Sequence, residues 1–208
     1  MVGVEGDGEA KGADDAYQSP FVEINERVDV GEALRELANQ LDRLPDYKYA
    51  WRWACAALHA AVQAAIVVSI AGSAKTGAMK PKDQAAWMNA YDERRWSDLP
   101  DERTDDFIPL YLRMKDQFDY TPGDDVDREV RRLHSLRNHL GHIRPMSLLV
   151  HPCDLVEMTT SCLAVIRFLL IERGEMWWMY PEERQLVEAE LNDAAAAIVR
   201  LRTVYSND

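Results

Sequence analysis

The stretch "ACAALHAAVQAAIVVSIAG" (Ala54–Gly72) constrains the fold more than any other. A run this long and apolar either crosses a bilayer or forms the central helix of a soluble bundle. Two of its residues decide between these. His59 and Gln63 lie four apart, on one side of a helix, and polar side chains in hydrocarbon are costly. The run is weighted toward alanine, and no second segment resembles it. The expectation is a buried helix with no membrane span, with His59 and Gln63 as a polar pair satisfied inside the core.

Helical periodicity continues on both sides of it. Leu34, Leu37, Leu41 and Leu44 recur at spacings of three and four, and Pro45 stops that helix. Tyr47, Trp51, Ala54, Leu58, Val62 and Ile66 form the stripe of a second helix, expected from about Asp46 to Ile70. Further helices are expected from Pro81, from Phe107 with Pro109 in its first turn, from Asp124 to Leu140, from Pro152, and from Pro181. "YTPGDD" separates the fourth from the fifth, and "MSLLV" reads as a short extended segment. No alternating pattern is long enough for a sheet, and no glycine-rich phosphate loop occurs. The reading is an all-α, up-and-down helical bundle of six to seven helices. Residues 1–18, rich in Gly and acid, read as a disordered tail; residues 19–208 read as a single domain.

Charge narrows the functional classes. The chain carries a formal −12, which disfavours indiscriminate binding to nucleic acid or anionic membrane. Yet Arg128–Arg144 holds five arginines and one glutamate, a local +4 that leaves −16 for the remainder. Cationic charge is concentrated in one segment, and its distribution matters more than the total. The three cysteines, Cys55, Cys153 and Cys162, have apolar neighbours and no metal-ligand spacing. Free thiols in a reducing cytoplasm are expected. "RGEMWWMYPEER" sets Trp177 and Trp178 between two methionines, a pattern more typical of core or of a partner surface than of base stacking.

The informative residues lie in "RRLHSLRNHLGHIRP" (131–145). On the helix expected there, Val126, Val130, Leu133 and Leu140 share a face, and Arg137 falls inside it. A guanidinium in that position needs a carboxylate, backbone carbonyls or an anionic ligand, unless its head group escapes at the end of the stripe. His142 follows five residues later, beyond Gly141. On an unbroken helix the two side chains diverge by about 140°; a glycine turn at Gly141 would bring His142 back toward Arg137. Together they would pair a phosphate-holding fork with a group that moves protons near neutral pH, and Asn138 could orient either. His134 and His139 face apart, and no cysteine or carboxylate completes a tetrahedral set, so no metal site is expected.

"LRNHLGHIRP" resembles the signature of the HEPN superfamily of small helical domains: an arginine, often followed by asparagine, then a histidine near a helix end. Arg137, Asn138 and His142 match it. The alanine-rich "LHAAVQAA" before it and the apolar "LVEMTTSCLAVIRFLL" after it are similar in arrangement to uncharacterised bacterial members. Met146 stands where that branch has a tryptophan. The resemblance implies a bundle that often forms homodimers, with motifs from two protomers facing each other. It also implies RNA as substrate, cut without metal or other cofactor, in toxin or defence systems that can include a cognate protein partner. On that reading Arg137, Asn138 and His142 are catalytic, Arg131, Arg132, His134 and Arg144 contact the nucleic acid, and His59 and Gln63 support the site. Other members of the superfamily only bind nucleotides, RNA or protein, and the acidic remainder of this chain fits that alternative.

Overall fold

The computed structural model describes residues 25–72, 74–142, 147–174 and 181–205. The tail at 1–18, Arg144, Met146, Trp177 and Trp178 lie outside the described residues. Seven α-helices and no strand occur among those described: α1 (Glu26–Arg43), α2 (Trp51–Ile70), α3 (Pro81–Asp92), α4 (Phe107–Gln117), α5 (Asp124–Gly141), α6 (Pro152–Arg167) and α7 (Pro181–Tyr205). The protein is an all-α bundle.

Local chemistry sets the helix ends. The Asn25 side chain accepts from the Arg27 and Val28 backbone N–H groups, both at 3.0 Å, so α1 starts a turn before its apolar stripe. Pro81, Pro152 and Pro181 open their helices where a missing N–H costs nothing. Between Pro45 and α2 the chain makes a turn and a short 3-10 segment, Lys48–Ala50, so α2 begins later than the expected Asp46. At its far end α6 widens into one π-helical turn, Phe168–Glu172. Residues 147–150 form no strand, and Leu149 is almost fully exposed.

α2 is the hub, packing against α1, α4, α5 and α6, while α7 covers α1 and α6. It is the one described helix long and apolar enough to cross a membrane, and more than half of it is covered by its neighbours. Ala54, Leu58, Ala61, Val62, Ala65 and Ile66 are fully buried. Alanine at three of these six positions lets the flanking helices approach closely, while Leu58, Val62 and Ile66 supply bulk. Burying each such large aliphatic side chain contributes about 1.5–3 kcal/mol.

Two polar clamps locate α5. Tyr111 on α4 donates its hydroxyl to Asp127 Oδ1 at 2.6 Å, and Lys115 on α4 pairs with the other oxygen of the same carboxylate. At the opposite end, Arg52 on α2 donates to the Leu140 carbonyl at 2.9 Å. That bond satisfies one of the last-turn carbonyls that a helix leaves unpaired. α5 is thereby fixed along its length against α4 and α2.

Candidate functional site

The candidate site lies along the C-terminal half of α5. The arginine expected on its apolar face is exposed. Val130 and Leu133 are fully buried, but Leu136 and Leu140 are only half-buried, so the apolar stripe fades one turn before Arg137. The head group therefore escapes at the end of the stripe, one of the outcomes that spacing left open. Among the described residues no carboxylate pairs with it. Its one hydrogen bond runs from Nη1 to Asn138 Oδ1 at 3.2 Å.

That bond is the outer link of a chain leading into the core. Asn138 Nδ2 lies 3.1 Å from His134 Nε2, and His134 Nδ1 lies 3.2 Å from His59 Nε2 on α2. Donor chemistry fixes the direction of every link. A guanidinium only donates, so Asn138 must turn its oxygen toward Arg137 and its NH2 toward His134. His134 Nε2 then accepts, its proton sits on Nδ1, and Nδ1–H donates to His59 Nε2. His59 in turn carries its proton on Nδ1. Both rings are neutral in this arrangement.

Aromatic packing holds the two imidazoles in place. Phe107, the first residue of α4, stacks on His59 at 4.2 Å between centroids and lies parallel to His134, stacked at 5.1 Å. His59 is only 4% exposed. Burial pushes its pKa down to about 3, with the Arg137 charge and the neighbouring His134 adding to the effect. His134 is lowered from its ordinary value for the same first reason, burial, and then by Arg137 beside it; Asp106 opposes this.

His134 was expected as a nucleic-acid contact; in the fold it connects Asn138 to the core. The polar partner of His59 is His134, not Gln63. Gln63 is half-buried and lines a separate groove of about 810 Å³ between α1 and α2, together with Trp53, Ala60 and Glu32. Phe107 and Arg52 were not picked out from the sequence. A signal for the His59–His134 contact existed: a histidine in an otherwise aliphatic core helix must find a partner. Nothing in a linear pattern says that the partner lies 75 positions away.

His142 is exposed and has extended backbone angles. Its N–H still bonds to the Asn138 carbonyl at 3.2 Å, so the helical hydrogen-bond pattern continues to this residue. Gly141 is the last helical residue and does not adopt the left-handed turn conformation that would bring His142 back. Within the described residues no hydrogen bond joins the His142 ring to Arg137. A Cβ added at Gly141 meets open space. Gly141→Ala is therefore expected to raise stability by about 0.5–1 kcal/mol, because alanine loses less backbone freedom on folding. A fall in the urea midpoint would show that Gly141 needs a conformation only glycine reaches.

The two neighbouring arginines differ sharply. Arg132 binds Asp154 on α6 and faces Glu129 at 3.5 Å. Glu129 is 3% exposed; its Oε1 accepts from Arg128 at 3.1 Å, and its Oε2 accepts no hydrogen bond. Arg132 thus compensates a buried carboxylate and ties α5 to α6, so it is not a free contact for nucleic acid. Arg131 is exposed with no ion-pair partner among the described residues. Removing one partner of a buried pair strands the other charge, here softened because Arg132 is partly solvated. Arg132→Ala is expected to cost about 2 kcal/mol and Arg131→Ala to stay within about 0.5 kcal/mol, both read by urea unfolding. Among the described residues no group of three His, Cys, Asp or Glu side chains is placed to hold a metal.

Comparisons with protein-family models, with curated proteins and with solved structures find no match to this chain.

Proposed function

We propose that the protein is a HEPN-like, RNA-acting protein, with Arg137 as its phosphate ligand and His142 as general acid or base of a metal-independent cleavage. The observation that carries this reading is the state of Arg137. Its guanidinium is exposed, aligned by Asn138, free of any carboxylate among the described residues, and spends one donor on the protein. The remaining donors suit two phosphate oxygens in parallel. Exposed Arg131 stands a turn and a half earlier on the same helix, and the resemblance of "LRNHLGHIRP" supplies the substrate class. In the reaction the RNA 2′-hydroxyl would attack the adjacent phosphorus. A base takes its proton, an acid protonates the leaving 5′-oxygen, and Arg137 neutralises charge building on the non-bridging oxygens.

A second reading is favoured by one specific observation: the helix runs unbroken through Gly141, and among the described residues no hydrogen bond joins the His142 ring to Arg137. On that reading the site holds RNA or a nucleotide without cutting it. The homodimer is also part of the proposal, since a second copy could bring its own motif to Arg137.

The test of the shared claim is binding. Arg137→Ala is expected to weaken binding of a short uridine oligoribonucleotide by about ten- to a hundredfold, the worth of a charged hydrogen-bonding contact. It should also reduce the salt dependence by about one phosphate contact. Binding equal to wild type across the salt range rules out Arg137 as the phosphate ligand. Binding at the local +4 should strengthen as salt is lowered, whereas an oligonucleotide lying on the remainder of the chain, which carries −16, would bind more weakly as salt is lowered.

A further inference from the structure

We propose that His59 is a positioning residue: through His134 and Asn138 it sets how the Arg137 guanidinium is presented to an anion. The inference rests on the reading of Arg137 as the phosphate ligand. It extends the site from an exposed helix end to a buried side chain on another helix.

Each of the three polar links has only one workable polarity, which Arg137 imposes from the outside and which His59 satisfies at the inside by accepting. Arg137 can only donate, at the outside. At the inside, a neutral His59 offers Nε2 as an acceptor. His134 is thereby held with its proton on Nδ1, and Nε2 is left to accept from Asn138 Nδ2. If His59 stopped accepting, His134 could move its proton to Nε2. Nε2–H and the Asn138 NH2 would then oppose each other, and the amide would have to flip. A flipped amide points its NH2 at Arg137, where two donors repel, and the guanidinium loses its hydrogen bond to Asn138. The Phe107 ring stacks on both imidazoles, so the change would be one of proton position and amide orientation rather than of packing.

His59→Phe and His59→Gln separate hydrogen bonding from packing. Phenylalanine keeps a ring against Phe107 but accepts nothing. Glutamine can place its amide oxygen near the former Nε2 and accept from His134 Nδ1–H. Ring-nitrogen NMR of wild type should show His134 protonated on Nδ1. In His59→Phe the signal should move toward the Nε2–H form, and the Arg137 NH2 resonances should show faster guanidinium rotation. Binding of the uridine oligoribonucleotide should weaken by about three- to tenfold in His59→Phe, roughly one hydrogen bond's worth, and recover to within about twofold in His59→Gln. If His59→Phe leaves both the His134 tautomer and the Arg137 rotation as in wild type, the proposal is overturned. Should phenylalanine prevent folding, the tautomer in His59→Gln decides: Nδ1–H retained supports it, Nε2–H overturns it. A wild-type protein that binds no RNA in an Arg137-dependent way defeats the phosphate reading separately, while the two NMR readouts still judge the relay.

Discussion

RNA incubated with the protein in EDTA is expected to be cut, and His142→Ala to slow the cutting by about 10²–10⁴-fold, the usual contribution of a positioned proton-transfer group. EDTA matters because the proposed cleavage is metal-independent, so chelation should leave the rate unchanged. Within one chain the His142 ring makes no hydrogen bond to Arg137. Cutting therefore needs the ring to approach the scissile phosphate from the segment after Gly141 or from a second copy. Mixing Arg137→Ala with His142→Ala distinguishes these. If the site combines Arg137 of one copy with His142 of the other, mixed dimers regain part of the activity; if both come from one chain, they do not. Equal RNA survival with wild type and His142→Ala removes the enzyme and leaves the binding module.

The second large effect concerns acid. His59 has an ordinary pKa near 6.5 when unfolded and one pushed down to about 3 by burial in the fold. Between those values the unfolded chain binds more protons than the folded one, so stability rises with pH. The contribution of neutral His59 is fully present above about pH 6.5 and is lost progressively as pH falls toward 3. His134 is lowered in the same direction. At pH 4.5 the loss from His59 is about 2–3 kcal/mol. Asp127, held below the usual carboxylate range by Lys115 and Tyr111 against the opposing effect of burial, also weakens in acid, so the comparison must be made against a variant. His59→Phe is expected to cost about 1 kcal/mol at pH 7, from the lost hydrogen bond, but to lose about 2–3 kcal/mol less than wild type between pH 7 and 4.5. Urea unfolding at both pH values reads this, and parallel acid losses would show that His59 does not carry the effect.

Much of this fold was legible from pattern alone. The leucine stripe of α1, the prolines at the starts of α3, α6 and α7, and the alanine-rich run of α2 each express a local rule, and each produced the expected helix. Where boundaries moved, the reason was also local. The Asn25 cap extended α1 forward, and the turn after Pro45 delayed α2. The site was less legible. Arg131 and Arg132 are identical neighbours in sequence, yet Arg132 is engaged by Glu129 and by Asp154 of another helix. Gln63 looked like the partner of His59 because four residues bring two side chains to one helix side. His134 took that place because α5 lies against the other flank of α2.

The sequence by itself determined the helical class, a count of six to seven helices, the burial of α2, and the presence of Arg137, Asn138 and His142 in one short cationic segment. Only the tertiary structure decided that Arg137 is exposed, that Arg132 serves a buried carboxylate, and that a core histidine is joined to the site through His134 and Asn138. The physical reason is the nature of periodicity. Spacing gives the angle of each side chain about its own helix axis. It does not say which helix lies opposite, or how far along the axis the neighbouring helices continue, and those two facts settle which polar groups meet.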